Sequence, residues 1–226
     1  MPADMVGGVP GALSMLDLAA LGALPQAARR GLAGGPSGTI VHEAGHFLAA
    51  AGFGVPGDLI LFDWSPEGRK HAVHIREHHA RLLRADLATR LSMLAAGYAA
   101  ELRVFGEALL NRARSDLEAA AAALGRGGFD LEMDARALAD TLRAHDPFAP
   151  DDVTAIVDMH NWLASAINAE GGPDGTFAIP YHRLPARFRR RVPFHRRVRS
   201  YWMSRDPSYA LAVRDKLLDD QVVPGA

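Results

Sequence analysis

The stretch Thr39-Ile-Val-His-Glu-Ala-Gly-His-Phe-Leu-Ala-Ala-Ala51 constrains this chain more than any other. In a helix, at about 100° and about 1.5 Å per residue, His42 and His46 stand one above the other on one face, so two imidazoles can reach one ion. That is the H-E-x-x-H spacing, which on a helix reads as a zinc site. Glu43 follows the first histidine by about a quarter-turn, where it misses the metal yet can touch a water beside it.

Two histidines four apart also arise by chance as polar residues on a solvated face. The neighbours argue against that here. Ile40, Val41, Ala44, Phe47, Leu48 and Ala49 make the segment apolar almost all round, the pattern of a buried helix. Two imidazoles and a carboxylate in such a helix are costly unless something satisfies them, and a divalent cation does. Gly45, a poor helix former, leaves bare backbone where a substrate or a neighbouring strand can approach.

Composition narrows the chemistry further. The 226 residues are 49% hydrophobic, enough for a sizeable core, and the net charge of −1 gives no global bias toward nucleic acid or membrane. There is no cysteine, so a metal must be held by nitrogen and oxygen alone. The first thirty residues carry Asp4 and Asp17 and no base before Arg29, unlike a secretory leader. No uncharged apolar run approaches about 18 residues, so no membrane span is expected and a cytoplasmic protein is the default.

Along the chain, residues 1–38 are rich in Gly, Ala and Pro; Leu13–Arg30 could form a short helix, and Gly31–Gly38 reads as a flexible hinge. After the His-Glu helix, Leu59–Trp64 suits a strand and His71–Ile75 a returning one, whose edge could hold an extended peptide over a metal. The cluster His71, His74, His78 and His79 is a rival metal site, weakened by Arg76 and Arg81 and better read as a surface cluster. Arg81–Phe105 is helical, with the stripe Leu83, Leu87, Leu91, Leu94 and Tyr98, and packs most simply on the His-Glu helix. Its end, Ala95-Ala-Gly-Tyr-Ala-Ala-Glu101, carries small residues that permit close approach. Glu101 could be a third ligand, a partner to a ligand histidine, or a satisfied polar residue.

Ser115-Asp-Leu-Glu118 reads as a capping box opening a helix through Leu124, which gives Asp116 a structural role at a helix start. Further helices are expected from Leu131 to His145 and from Pro150 to Ala169, where His160 lies on an apolar stripe as a hydrogen-bonded core residue. Beyond Gly171 the chain turns basic, with arginines interleaved with Phe188, Phe194, Tyr201 and Trp202 and no acid from Thr176 to Arg205. That segment suits docking of a partner or of a second copy; nucleic acid is the less favoured occupant because the whole chain balances.

Val41-His-Glu-Ala-Gly-His46, then Ala96-Gly-Tyr-Ala-Ala-Glu-Leu-Arg-Val-Phe-Gly-Glu107, then Ser115-Asp-Leu-Glu-Ala119, together resemble the peptidase domain of FtsH-type zinc metalloproteases, whose motifs read approximately HEAGHA, GGRAAEELVFGE and NDLxxA. The match covers about Thr39 to Leu124 and at its widest runs through Ala169. It implies that His42 and His46 are zinc ligands, that Asp116 rather than Glu101 is the third, and that Glu43 is the catalytic general base. The chain departs from the family at Tyr98, at Leu102 and Arg103, and in the loop Asn111-Arg-Ala-Arg114, which touches substrate-side contacts and loop geometry.

The resemblance implies a mostly α fold with a small β-hairpin, a helical zincin-like peptidase domain. The corresponding division is a flexible N-terminal segment (1–38), a peptidase-like domain (39–170) and a basic C-terminal extension (171–226). The family fuses its peptidase to an AAA ATPase, whereas the 38 residues before the motif contain no phosphate-binding G-x-x-x-x-G-K-[ST]. The expectation is therefore a zinc metalloendopeptidase acting on flexible polypeptides without its own motor, served by a separate ATPase or by homo-oligomerisation. The contrasting expectation is a catalytically quiet zinc-binding scaffold or adaptor.

Overall fold

The computed structural model describes residues 13–52, 59–63, 71–72, 87–125, 131–169, 176–180 and 185. Among these the chain is mostly helical: α1 (Leu18–Ala23), α2 (Gln26–Gly34), α3 (Pro36–Gly52), α4 (Leu87–Phe105), α5 (Arg114–Ala123), α6 (Leu131–Ala144) and α7 (Val153–Ala169). A 3₁₀ turn, Pro150–Asp152, leads into α7. Three short strands, β1 (Leu59–Asp63), β2 (His71–Ala72) and β3 (Thr176–Pro180), form an antiparallel sheet in the order β2-β1-β3.

Of the segment expected to be flexible before the His-Glu helix, residues 13–38 are described, and they pack against the core. Asp17 caps α1 by accepting from the Ala20 backbone N–H at 2.8 Å, and Leu13, Leu16 and Leu21 are buried. The supposed hinge shrinks to a break at Gly35, because Pro36 already begins α3 with a preset φ and no N–H to leave unpaired. The extended residues ahead of α1 are held by two asparagines of α7. Asn168 pairs with both the N–H and the carbonyl of Leu13, at 2.8 and 2.9 Å, and Asn161 does the same for Leu16, at 2.7 and 2.8 Å.

Helix α4 organises the rest. One face, with Met93, Ala96, Ala99, Ala100 and Val104, packs into a core shared with α3, α7 and the N-terminal segment. The other, with Leu91, Ala95 and Tyr98, packs into a second core with α5 and α6. Leu87, the described start of the expected stripe, is 41% exposed, and Leu83 lies outside the described residues. Gly106, at φ +79, turns the chain out of α4 and starts the short return to α5.

The sheet corrects one expectation and extends another. β1 is paired on both sides, with β2 at Leu61 and Phe62 and with β3 along Leu59–Asp63, so it is the central strand and its edge is not free for a peptide. β3 comes from the segment read as the start of the basic extension. The arginine-rich stretch beyond it, and His74, His78 and His79, lie outside the described residues. Among the described residues no helix is long and apolar enough to cross a membrane.

Candidate metal centre

Helices α3 and α4 approach closely enough to bring backbone against side chain, and two glycines allow it. A Cβ on Gly45 would collide with the Ala96 carbonyl and lie 2.7 Å from the Ala100 methyl. Gly45 therefore serves helix–helix contact rather than the approach of a substrate or strand. On the facing helix, a Cβ on Gly97 would lie 2.5 Å from the Nε2 of both His42 and His46. The space in front of the two ring nitrogens exists because residue 97 has no side chain.

Each ring is fixed from behind. His46 Nδ1 lies 2.9 Å from the Met93 carbonyl, which can only accept, so the proton sits on Nδ1 and the Nε2 lone pair faces the cleft. His42 Nδ1 lies 2.7 Å from Glu101 Oε1, and Glu101 receives Arg112 Nη1 at 2.7 Å and the Leu109 N–H at 3.2 Å on its other oxygen. The same tautomer follows for His42. Glu101 thus stands behind His42, a candidate ligand, and it is fully buried.

Asp116 completes the group from α5. Its Oδ2 lies 3.0 Å from His42 Nε2 and 3.2 Å from His46 Nε2, and the two ring nitrogens are 3.1 Å apart. With the proton of each neutral ring on Nδ1, three electron-pair donors converge, an arrangement that repels itself unless a cation, a further proton or a metal ion, is shared. Ligands at about 2.0–2.1 Å from a tetrahedral ion stand about 3.3 Å apart, within a few tenths of the separations found. The residues present fit a divalent ion of the zinc type, and among the described residues this is the group able to hold one.

The electrostatics agree with the geometry. For His42, burial opposes charge, but hydrogen bonds to Asp116 and Glu101 and the charges of Asp116 and Glu43 overcome it and push the ring up to about 10. His46 is also raised: burial works against it, and the Asp116 charge and hydrogen bond prevail. Burial would raise Asp116, but the His46 charge and the bonds to both rings hold it well below the usual carboxylate range. These are the signs of a site that takes up positive charge, whether protons or a metal. Glu43 is 8% exposed, accepts no hydrogen bond from a described residue, and is pushed upward by burial against the pull of both histidines.

Asp116 reaches the site by a route the capping-box reading does not describe. Helix α5 begins at Arg114 with Ala113 as its cap residue and no side-chain cap, so Ser115 does not cap it. Arg114 instead pairs with Glu118 at 2.9 Å across one turn. Two residues that differ from the motifs the sequence resembles, Tyr98 and Arg103, are tied into the helical packing. Tyr98 is buried with its hydroxyl 3.3 Å from Arg143, and Arg103 binds Asp146 at 2.7 Å and the Phe148 carbonyl at 2.6 Å. They serve the packing of α4 on α6 and on the loop before α7.

Sequence reasoning brought His42, His46, Glu43, Glu101 and Asp116 to attention and missed three contributors. The Met93 carbonyl carries no sequence signal, since any residue supplies one. Gly97 was visible only as one of several small residues. Arg112 was visible only as an unusual residue in a loop. The chain thus presents a two-histidine, one-carboxylate group, buried at His42 and partly exposed at His46 and Asp116, on a helical scaffold. Comparisons with protein-family models, curated proteins and solved structures found no match for it.

Proposed function

We propose that the protein is a zinc-dependent metalloendopeptidase of the helical, FtsH-like zincin type, cytoplasmic, acting on flexible polypeptide segments. The observation that carries this reading is the convergence of His42, His46 and Asp116 on one point, with Glu43 buried beside the first ligand. Zinc, when bound, supplies a Lewis acid that acidifies water toward a pKa of about 7 and polarises a carbonyl oxygen.

The chain's residues supply the remainder. His42 and His46 present neutral Nε2 lone pairs because Glu101 and the Met93 carbonyl hold the protons on Nδ1. Glu43 takes a proton from the attacking water on a carboxylate oxygen and passes it to the departing amide nitrogen. Its upward shift on burial brings its proton affinity closer to what shuttling near neutral pH requires. The 226 residues include Lys70 and Lys216 as their only lysines, neither preceded by glycine, so no phosphate-binding loop of the G-K-[ST] kind unfolds substrates within them. Short peptides and unstructured segments are the substrate class that fits.

The test compares wild type with Glu43→Gln for zinc content and for cleavage of an unfolded, casein-like substrate. Zinc retained with cleavage lost by at least about 100-fold is the expected result, given the size of general-base contributions. An unchanged rate removes Glu43 from the mechanism. Zinc in both proteins and cleavage by neither replaces the hydrolase with a metal-holding scaffold.

A further inference from the structure

The loop between α4 and α5 carries an arginine that binds the carboxylate behind His42 and the backbone just ahead of α3. Arg112 donates from Nη1 to Glu101 Oε2 at 2.7 Å and from Nη2 to the Ala33 carbonyl at 2.7 Å, with the Gly35 carbonyl at 3.5 Å. Its side chain is 12% exposed, and its partner Glu101 is wholly buried. A Cβ on Gly38 would lie 2.8 Å from Arg112 Nη1, so the first turn of α3 also leaves room for this guanidinium.

Two consequences follow from one side chain. Glu101 has one oxygen on His42 and the other on Arg112 and the Leu109 N–H, so its rotamer, and through it the plane of the His42 ring, is set by these donors. Arg112 also ties its loop to the end of α2 and the break before α3, four residues ahead of Asp116. Asp116, in the first turn of α5, thereby follows a loop docked on the end of α2 and the break that leads into α3, the helix that presents both histidines. A lysine has the charge but not the planar fork that spans a carboxylate and a carbonyl together.

We propose that Arg112 is a positioning residue of the metal centre, orienting His42 through Glu101 and registering Asp116 through the docked loop. This rests on the reading of His42, His46 and Asp116 as metal ligands. It is independent of whether the loaded protein cleaves peptides. The neighbouring Arg30–Glu107 pair, which is solvent-exposed at Arg30 and bonds the same loop at 2.9 to 3.1 Å, has no contact with Glu101 and serves as the comparison.

The experiment strips the full chain of metal, measures zinc affinity against a chromophoric chelator, and records the visible spectrum of the cobalt-substituted protein. Arg112→Met is expected to bind zinc about 10- to 100-fold more weakly, the range for partners standing behind metal ligands, with its helical circular dichroism retained and its cobalt bands altered. Arg112→Lys is expected to fall between it and wild type, and serves if the methionine variant does not fold. Arg30→Met is expected to bind zinc as wild type does.

Arg112→Met added to Glu101→Gln should cost less than the product of the two single losses, because both changes act through one carboxylate. Wild-type affinity and spectrum in both Arg112 variants, or single losses that multiply, overturn the proposal. A wild-type protein that binds neither zinc nor cobalt overturns the metal reading itself, and the proposal with it.

Discussion

Among the described residues His42 and His160 are both removed from water, at 3% and 0% exposure, yet the two neighbourhoods make opposite demands on an imidazole. Around His42 the helices supply Glu101, Asp116, Glu43 and a second ring, and the proton affinity climbs to about 10. Around His160, on α7, burial dominates: its Nδ1 lies 3.0 Å from the Asn161 side-chain oxygen, its Nε2 has no hydrogen-bond partner among the described residues, and the ring is pushed down to about 4. Burial is common to both and cannot distinguish a site from a core residue. The acidic oxygens brought by other elements do.

The sharpest break of that contrast is Gly97→Ala. A methyl placed 2.5 Å from both Nε2 atoms should eliminate zinc uptake, read as metal content after gel filtration, while the metal-free fold loses only about 1–3 kcal/mol from overpacking. Full zinc content in this variant would show that the two rings part or turn away from the cleft.

The His160 side is tested by acid. Its folded value of about 4 lies below the 6.5 of the unfolded chain, so the unfolded state takes up the proton first. Stability present above about pH 6.5 should decline as pH falls toward 4, by on the order of 3 kcal/mol. His160→Leu should remove this share of the urea-measured slope, and an unchanged slope would mean that the ring reaches water. His42 runs the other way in metal-free protein: its contribution is complete below about 6.5 and is lost as pH rises through about 10. Asp116→Asn should flatten that alkaline limb.

A smaller effect comes from the asparagine that binds His160. Asn161→Ala leaves the Leu16 N–H and carbonyl without partners and should cost about 1–3 kcal/mol, leaving zinc affinity unchanged. A loss of zinc affinity in this variant would join the two regions that the comparison separates.

Much of the fold was legible in residues 39–52 and 87–169. Apolar patterning foretold α3, α4 and α7, and a further helix was expected where α6 stands. Between residues 13 and 38 the sequence offered a short helix, where α1 and α2 stand, but not its docking, because a composition of Gly, Ala and Pro resembles a linker. What holds Leu13 and Leu16 is a pair of asparagines some 150 residues away, at separations of 155 and 145. The same limit governed β3, whose pairing with β1 no local pattern announces.

For the site, the spacing of His42, Glu43 and His46 on a helix is a local property, and the chain alone settled it: a period of about 3.6 residues stacks positions four apart. The apolar neighbours pointed as well to the burial found at His42 and Glu43, while His46 keeps some exposure. Which acid closes the group, which carbonyl fixes each tautomer, and why residue 97 has no side chain depend on how α4 and α5 lie against α3. Packing and hydrogen bonds between distant segments decide that, and they carry no fixed spacing in the chain.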